Sequence, residues 1–187
     1  KKHSKKKFRP LASNLISIRK AMVISGLLGI TSFTYFFFFT DKSIIYLISV
    51  YFIINILYSF FFKKIKYLEI LIVLSGFLIR AFVGSFISDI TVSNFLLVQL
   101  TLFVLFILVC KRREYFFSFD EDVKSKYSIK ELNLLSVILL LSNVVNYFVY
   151  LFHDARFTTS YSLEFSFVIF LYLLTRYFLI NRKNILF

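Results

Sequence analysis

The sequence is poor in the residues that break or staple a chain. It has one cysteine, Cys110, so no internal disulfide can form and no thiolate metal set exists. One proline and four glycines in 187 residues leave little room for long irregular linkers. Tryptophan is absent, and histidine occurs twice, at His3 and His153, which charge topology puts on opposite sides of a membrane, so no His-based zinc site is expected. Acids are scarce as well, 10 against 23 Lys and Arg. What fills the chain is apolar: 59% hydrophobic residues and a mean hydropathy of +0.79, which excludes a soluble domain. The bias toward Phe, Ile, Lys and Asn reads as codon bias and carries no function.

Six long apolar runs stand out: 21–39, 43–62, 68–88, 92–110, 132–152 and 163–180. Each approaches the roughly 20 residues that a helix needs to cross about 30 Å of hydrocarbon. They are too long for strands, and membrane strands would alternate apolar and polar residues over about 10 positions. The predicted fold is therefore all-α: one polytopic transmembrane bundle over residues 1–187, with six spans. The segments before the first run and after the second, fourth and sixth carry 8, 3, 6 and 2 Lys and Arg, which is 19 of the 23. Alternation of this kind is the positive-inside signature. It predicts that both termini and the joints around 63–67 and 111–131 are cytoplasmic, in a multi-pass protein of a bacterial or archaeal cytoplasmic membrane. The net charge of +13 then belongs to topology and to anionic lipid headgroups, and nucleic-acid binding is not expected. The opening Lys1-Lys2-His3 has no initiating Met and reads as the inside of a loop, so the chain is expected to be a piece of a longer protein.

Arg80 is the clearest anomaly inside a run. A charge near the helix centre costs about 2.5–3.5 kcal/mol even on lenient insertion scales. It is expected to face the bundle interior or a wet cavity, with an anionic partner. Glu69, Gly76, Arg80 and Gly84 share a helical face, and the glycines admit a close neighbour. Arg80 reads as a phosphate contact through its planar fork, or else as a packing residue paired to a buried acid. Tyr58, Lys63, Lys64, Lys66 and Glu69 cluster at one joint, as an anion clamp or as a plain topology anchor. Lys111-Arg112-Arg113-Glu114 offers the same two readings. Asp120-Glu121-Asp122 reads first as a solvated loop and second as a hard-oxygen site for Mg²⁺.

Taken together these blocks resemble the UbiA-type membrane prenyltransferase superfamily, and most of all its decaprenyl-phosphate phosphoribosyltransferase branch. His3, Lys6, Arg9 and Pro10 match a His-Pro-x-Lys-x-x-Arg-Pro pattern, with Ser4 in place of the first Pro. Tyr58-Ser59, Lys63, Glu69 and Gly76-Phe77-Leu78-Ile79-Arg80-Ala81 match the next block, with Glu69 in place of an Asp. Lys111, Arg112 and Glu114 match Lys-Arg-x-x-Glu, with Cys110 where Gly is common, and Tyr127-Ser128 matches a later Tyr-Ser pair. The resemblance implies nine spans, of which six fall here. It implies a Mg²⁺-dependent transfer of a phosphoribosyl group from phosphoribosyl diphosphate to a polyprenyl phosphate at the cytoplasmic membrane face. Lys6, Arg9, Lys63, Arg80, Lys111 and Arg112 would contact phosphates. Glu69 and Glu114 would be the metal-side or ribose-side acids, and Tyr58 would orient a phosphate. The partners implied are a polyprenyl lipid, a diphosphate-bearing substrate and membrane lipids. The principal acidic motif for Mg²⁺ is expected upstream of Lys1, and Glu114 is a further metal candidate, so this stretch is expected to be inactive alone. The alternative within the superfamily is prenyl transfer from a prenyl diphosphate to an aromatic or quinone-precursor acceptor. A transporter would show internal repeats or Gly/Pro-broken midplane helices, and neither is visible. A purely structural membrane subunit would tolerate Arg80→Leu.

Overall fold

The computed structural model describes residues 10–11, 13, 15–39, 41–117, 126–153 and 161–183. His3, Lys6, Arg9, the acidic cluster at 120–122 and Lys124 lie outside the described residues. Among those described, the secondary structure is helical throughout: α1 (Ile18–Phe39), α2 (Lys42–Phe60), a 3₁₀ turn (Phe62–Lys64), α3 (Leu68–Ser88), α4 (Asn94–Phe117), α5 (Ile129–His153) and α6 (Tyr161–Lys183). Among the described residues five helices, α1 to α5, are long and apolar enough to cross a membrane; α6, which covers the expected sixth span at 163–180, is not among them. Their outward residues are large and apolar, as Leu27, Ile30, Leu71, Leu134 and Phe148 illustrate, which suits lipid and not water.

The chain divides into two compact units, residues 1–50 and 51–187. In the first, Ser17 caps α1, its hydroxyl accepting the Lys20 N–H at 3.3 Å. In the second, α4 is the central helix and packs along α5 and against α3 and α6. One core cluster joins Ile70 of α3, Val109 of α4, Tyr127 just before α5 and Leu132 of α5. Another joins Phe106 and Cys110 of α4 to Leu174 of α6. Polar side chains add directional contacts between α4 and α5. Gln99 donates to Asn143 Oδ1 at 2.9 Å, and Asn146 donates to Gln99 Oε1 at 2.8 Å. Such bonds between apolar helices contribute about 0.6–2 kcal/mol each.

Two turns set the chain's reversals at the ends of α3. Tyr67 precedes it with φ 63°, and Asp89 follows it in the left-handed conformation with φ 51°. At the start of α5, Glu131 reaches back to accept the Ser128 N–H at 3.4 Å, half of a capping box.

The end of α4 also differs from expectation. The stretch after Cys110 reads as the beginning of a loop, yet α4 continues through Lys111-Arg112-Arg113-Glu114 to Phe117. Lys, Arg and Glu are good helix formers, and no Gly or Pro interrupts them.

Candidate functional site

The continuation of α4 sends its charges in different directions. Arg112 Nε lies 3.2 Å from Glu69 Oε1, joining α4 to the first turn of α3. Arg113, one residue and about 100° further round the helix, turns to the other side. Its guanidinium is 2% exposed and donates to Ser136 Oγ at 3.4 Å and to the Phe178 carbonyl at 3.3 Å, over the Phe178 ring. Lys111 is exposed and Glu114 half-buried. The three consecutive cations that read alike in the sequence thus have three different surroundings.

Glu69 is the hub of the joint between α2 and α3. It is 3% exposed, and its carboxylate accepts the Tyr127 hydroxyl at 3.0 Å and lies 3.8 Å from Lys126 Nζ, besides Arg112. Lys126 also donates to the Lys63 carbonyl at 2.8 Å. The Tyr127 hydroxyl in turn accepts the Tyr67 N–H at 3.1 Å. Beside this, Lys66 pairs with Glu131 at 2.9 Å and lies over the rings of Tyr67 and Tyr127. The Glu131 hydrogen bond holds the Lys66 ammonium above its ordinary pKa, and burial pushes the Tyr127 hydroxyl up to about 12. Lys63 itself is exposed.

A second group of residues lies deeper along α3. Arg80 is eleven residues past Glu69, roughly 16 Å along the helix. Its guanidinium donates to the Tyr51 hydroxyl and lies over the Tyr51 and Phe77 rings, at 5.1 and 5.6 Å from their centroids. The side chain is exposed, and its partner among the described residues is a hydroxyl, where a buried acid was expected. Aromatic faces and a phenol satisfy the charge without an anion. Tyr51, Asn55 and Tyr58 of α2 and Ile72, Val73, Gly76, Phe77 and Arg80 of α3 line a cleft of about 90 Å³. Tyr58 therefore lies with Arg80. Gly76 makes the close approach expected of it, since a Cβ there would stand 3.3 Å from Tyr51 Cε2. Gly84 does not, because nothing lies within 4 Å of its added Cβ.

Mg²⁺ asks for several hard oxygen ligands in near-octahedral array. Among the described residues no three of His, Cys, Asp and Glu come together. Glu69 faces two cations and a phenol. The described residues therefore do not by themselves fit a Mg²⁺ centre.

The sequence reading marked Tyr127 only through the Tyr127-Ser128 resemblance, without its partners, and gave Tyr51 and Lys126 no part in these clusters. Tyr51 could have been found, since it lies one helical face with Tyr58 at a spacing of seven. Lys126 and Tyr127 are about sixty residues from their partners, and local spacing carries no sign of that pairing.

Membrane-length helices, apolar outside and polar at one helical joint, define a polytopic integral membrane protein. The family model described as "UbiA prenyltransferase family" matches residues 1–122, and the chain belongs to that family. It is similar to a decaprenyl-phosphate phosphoribosyltransferase of Mycolicibacterium smegmatis (strain ATCC 700084 / mc(2)155), 34% identical over 110 residues, 59% of this chain and 34% of that protein. It is similar also to a protein of the same name from Mycobacterium tuberculosis (strain ATCC 25618 / H37Rv), 30% identical over 112 residues, 60% of this chain and 37% of that one. The chain matches about a third of the length of these relatives.

Proposed function

We propose that this chain forms part of a membrane-embedded transferase that moves a phosphoribosyl group from phosphoribosyl diphosphate to a polyprenyl phosphate at the cytoplasmic membrane surface. The observation that carries the reading is the contact of the basic block at 111–131 with the joint before α3: Arg112 and Lys126 both reach the Glu69 carboxylate, and Lys126 also binds the Lys63 carbonyl. The shared name of the two relatives supports the choice of donor and acceptor.

In the proposed step an oxygen of the acceptor phosphate attacks the ribosyl C1. The bond from C1 to the diphosphate oxygen breaks, and the diphosphate leaves with the electron pair. Charge grows on the leaving group, so fixed cations near it lower the barrier. Lys63, Lys111 and Arg112 take that role, joined by Lys6 and Arg9 from outside the described residues. Arg80 and Tyr58 give a second phosphate contact, deeper along α3, to which Tyr51 adds its hydroxyl. Glu69 holds Arg112 by its Nε, and Glu114 is the acid proposed for the ribose or metal side. Mg²⁺, which the family resemblance implies, would supply further charge neutralisation of the diphosphate.

The test is a transfer assay on the full reading frame in membranes with Mg²⁺. Labelled phosphoribosyl diphosphate is supplied with a polyprenyl phosphate, and labelled prenyl diphosphate with an aromatic acceptor in parallel. A labelled phosphoribosyl lipid is expected, reduced by Arg80→Ala about ten- to hundredfold, the worth of a charge-assisted contact. Product only from the prenyl donor would replace phosphoribosyl with prenyl transfer. Product from neither would remove the transferase reading.

A further inference from the structure

Tyr127 lies outside the residues that the sequence marks for phosphate or metal contact, yet it is 3% exposed and makes two hydrogen bonds to the start of α3. A phenol carries one hydrogen and lone pairs besides, so it can donate to Glu69 and accept from Tyr67 at once. Tyr67 needs such a hold. Its φ of 63° with ψ of −38° is a positive-φ conformation outside the left-handed helical well, one that costs an aromatic residue on the order of 1–3 kcal/mol, and no side chain caps α3 there. The neighbouring Lys126 binds the carbonyl of Lys63 at 2.8 Å. Two consecutive residues therefore fasten both ends of the segment 63–67. The Tyr127 ring meets the Tyr67 ring edge to face at 5.6 Å, so the hydroxyl can be removed while the ring packing stays.

We propose that Tyr127 is a positioning residue, which holds Tyr67 in its positive-φ turn and Glu69 against Arg112 so that Lys63 and Arg112 form a preset clamp for a diphosphate group. The inference rests on the reading of these cations as diphosphate contacts, and it is indifferent to which group is transferred. Its physical basis is preorganisation: a clamp ordered before binding spends less of its interaction energy on ordering.

The full reading frame, purified in detergent, is titrated with inorganic diphosphate by calorimetry, and backbone hydrogen exchange is followed over residues 61–69. Tyr127→Phe is expected to speed exchange at the Tyr67 amide and to weaken diphosphate binding roughly tenfold, the size of one lost buried hydrogen bond. Lys63→Met should weaken binding by itself, and the double variant should bind little worse than the weaker single, because a released clamp gains less from Lys63. Asn143→Leu is the control: it loosens α4 from α5 and lowers thermal stability without changing diphosphate affinity. If Tyr127→Phe does not fold, Lys126→Met carries the same expectation, with faster exchange near Lys63. Unchanged affinity in the variant that folds overturns the positioning role alone. No diphosphate binding by the unaltered protein overturns the reading beneath it, and this inference with it.

Discussion

Two carboxylates near the α2–α3 joint show how burial decides what an ion pair is worth. Glu69 has a side chain 5% exposed, between Arg112 and Lys126, while Glu131 is 44% exposed beside Lys66. Exposed pairs contribute about 0–1 kcal/mol, whereas removing one member of a buried pair costs about 3–5 kcal/mol. Glu69→Ala is therefore expected to lower the thermal midpoint in detergent far more than Glu131→Ala, and equal shifts would show that Glu69 is solvated. The same neighbourhood sets an alkaline limit. Tyr127 titrates near 12 in the fold against about 10 in an unfolded chain, so the folded state holds its proton more tightly. Lys66, raised by its bond to Glu131, acts in the same direction. Both contributions are complete below about pH 10 and are lost as pH rises through the folded values. Stability measured from pH 9 to 12 should fall, and Tyr127→Phe should flatten the Tyr127 part of that fall. A profile that Tyr127→Phe leaves unchanged would remove Tyr127 as its cause.

At the scale of elements, the contact between α2 and α3 at Tyr51 depends on a missing side chain. A Cβ on Gly76 would stand 3.3 Å from the Tyr51 ring, and that ring carries the Arg80 guanidinium. Gly76→Val is expected to push Tyr51 aside, break its bond to Arg80 and cost about 1–3 kcal/mol, as overpacking does. Gly84→Ala meets nothing and should be neutral or slightly stabilising, since Ala favours a helix by up to about 1 kcal/mol. Thermal midpoints of the two variants distinguish them, and equal loss would show that Gly84 also faces a neighbour. The two glycines occupy equivalent places in the sequence pattern, and only the fold tells them apart. The helical character of the chain was legible because long apolar runs without breakers have no other use for their backbone groups in lipid. The extension of α4 beyond Cys110 was not, because charge was read as the end of a helix when it is only the end of its apolar part. Arg113 illustrates the cost: grouped with its neighbours as an anchor, it is instead packed among α4, α5 and α6. Tyr58 and Arg80 were both legible as candidates, but their common cleft depends on how α2 meets α3. Lys126 and Tyr127 act across sequence distances of 57 to 63 residues, which no local pattern encodes.

Across the whole molecule, charge and hydropathy together make a statement about sides. α3 runs from Leu68 to Ser88, 21 residues, which at 1.5 Å each is about 31 Å and matches the hydrocarbon thickness. Lys63 precedes it and Asp89 follows it, so a span of this length must put them on opposite faces. Lys111 lies in α4 past its apolar part, 17 residues on from Asn94 and about two turns before the helix ends at Phe117, and should share the face of Lys63. By the positive-inside rule, the excess of Lys and Arg in the joints at 63–67 and 111–131 predicts that this shared face is cytoplasmic. Cys110 is the single thiol of these 187 residues and is fully buried; Cys110→Ser, with any cysteine elsewhere in the reading frame replaced likewise, gives a background without cysteine. On that background Asp89→Cys should react with a membrane-impermeant maleimide in right-side-out vesicles, while Lys63→Cys and Lys111→Cys should react only after permeabilisation. Labelling of 63 and 89 from the same side would mean that α3 does not cross the bilayer. Labelling of 63 and 111 from outside, with 89 protected, would invert the orientation and move the proposed diphosphate site to the external face, where a soluble cytoplasmic donor has no access. The substrate proposal therefore stands or falls on a measurement that involves no substrate.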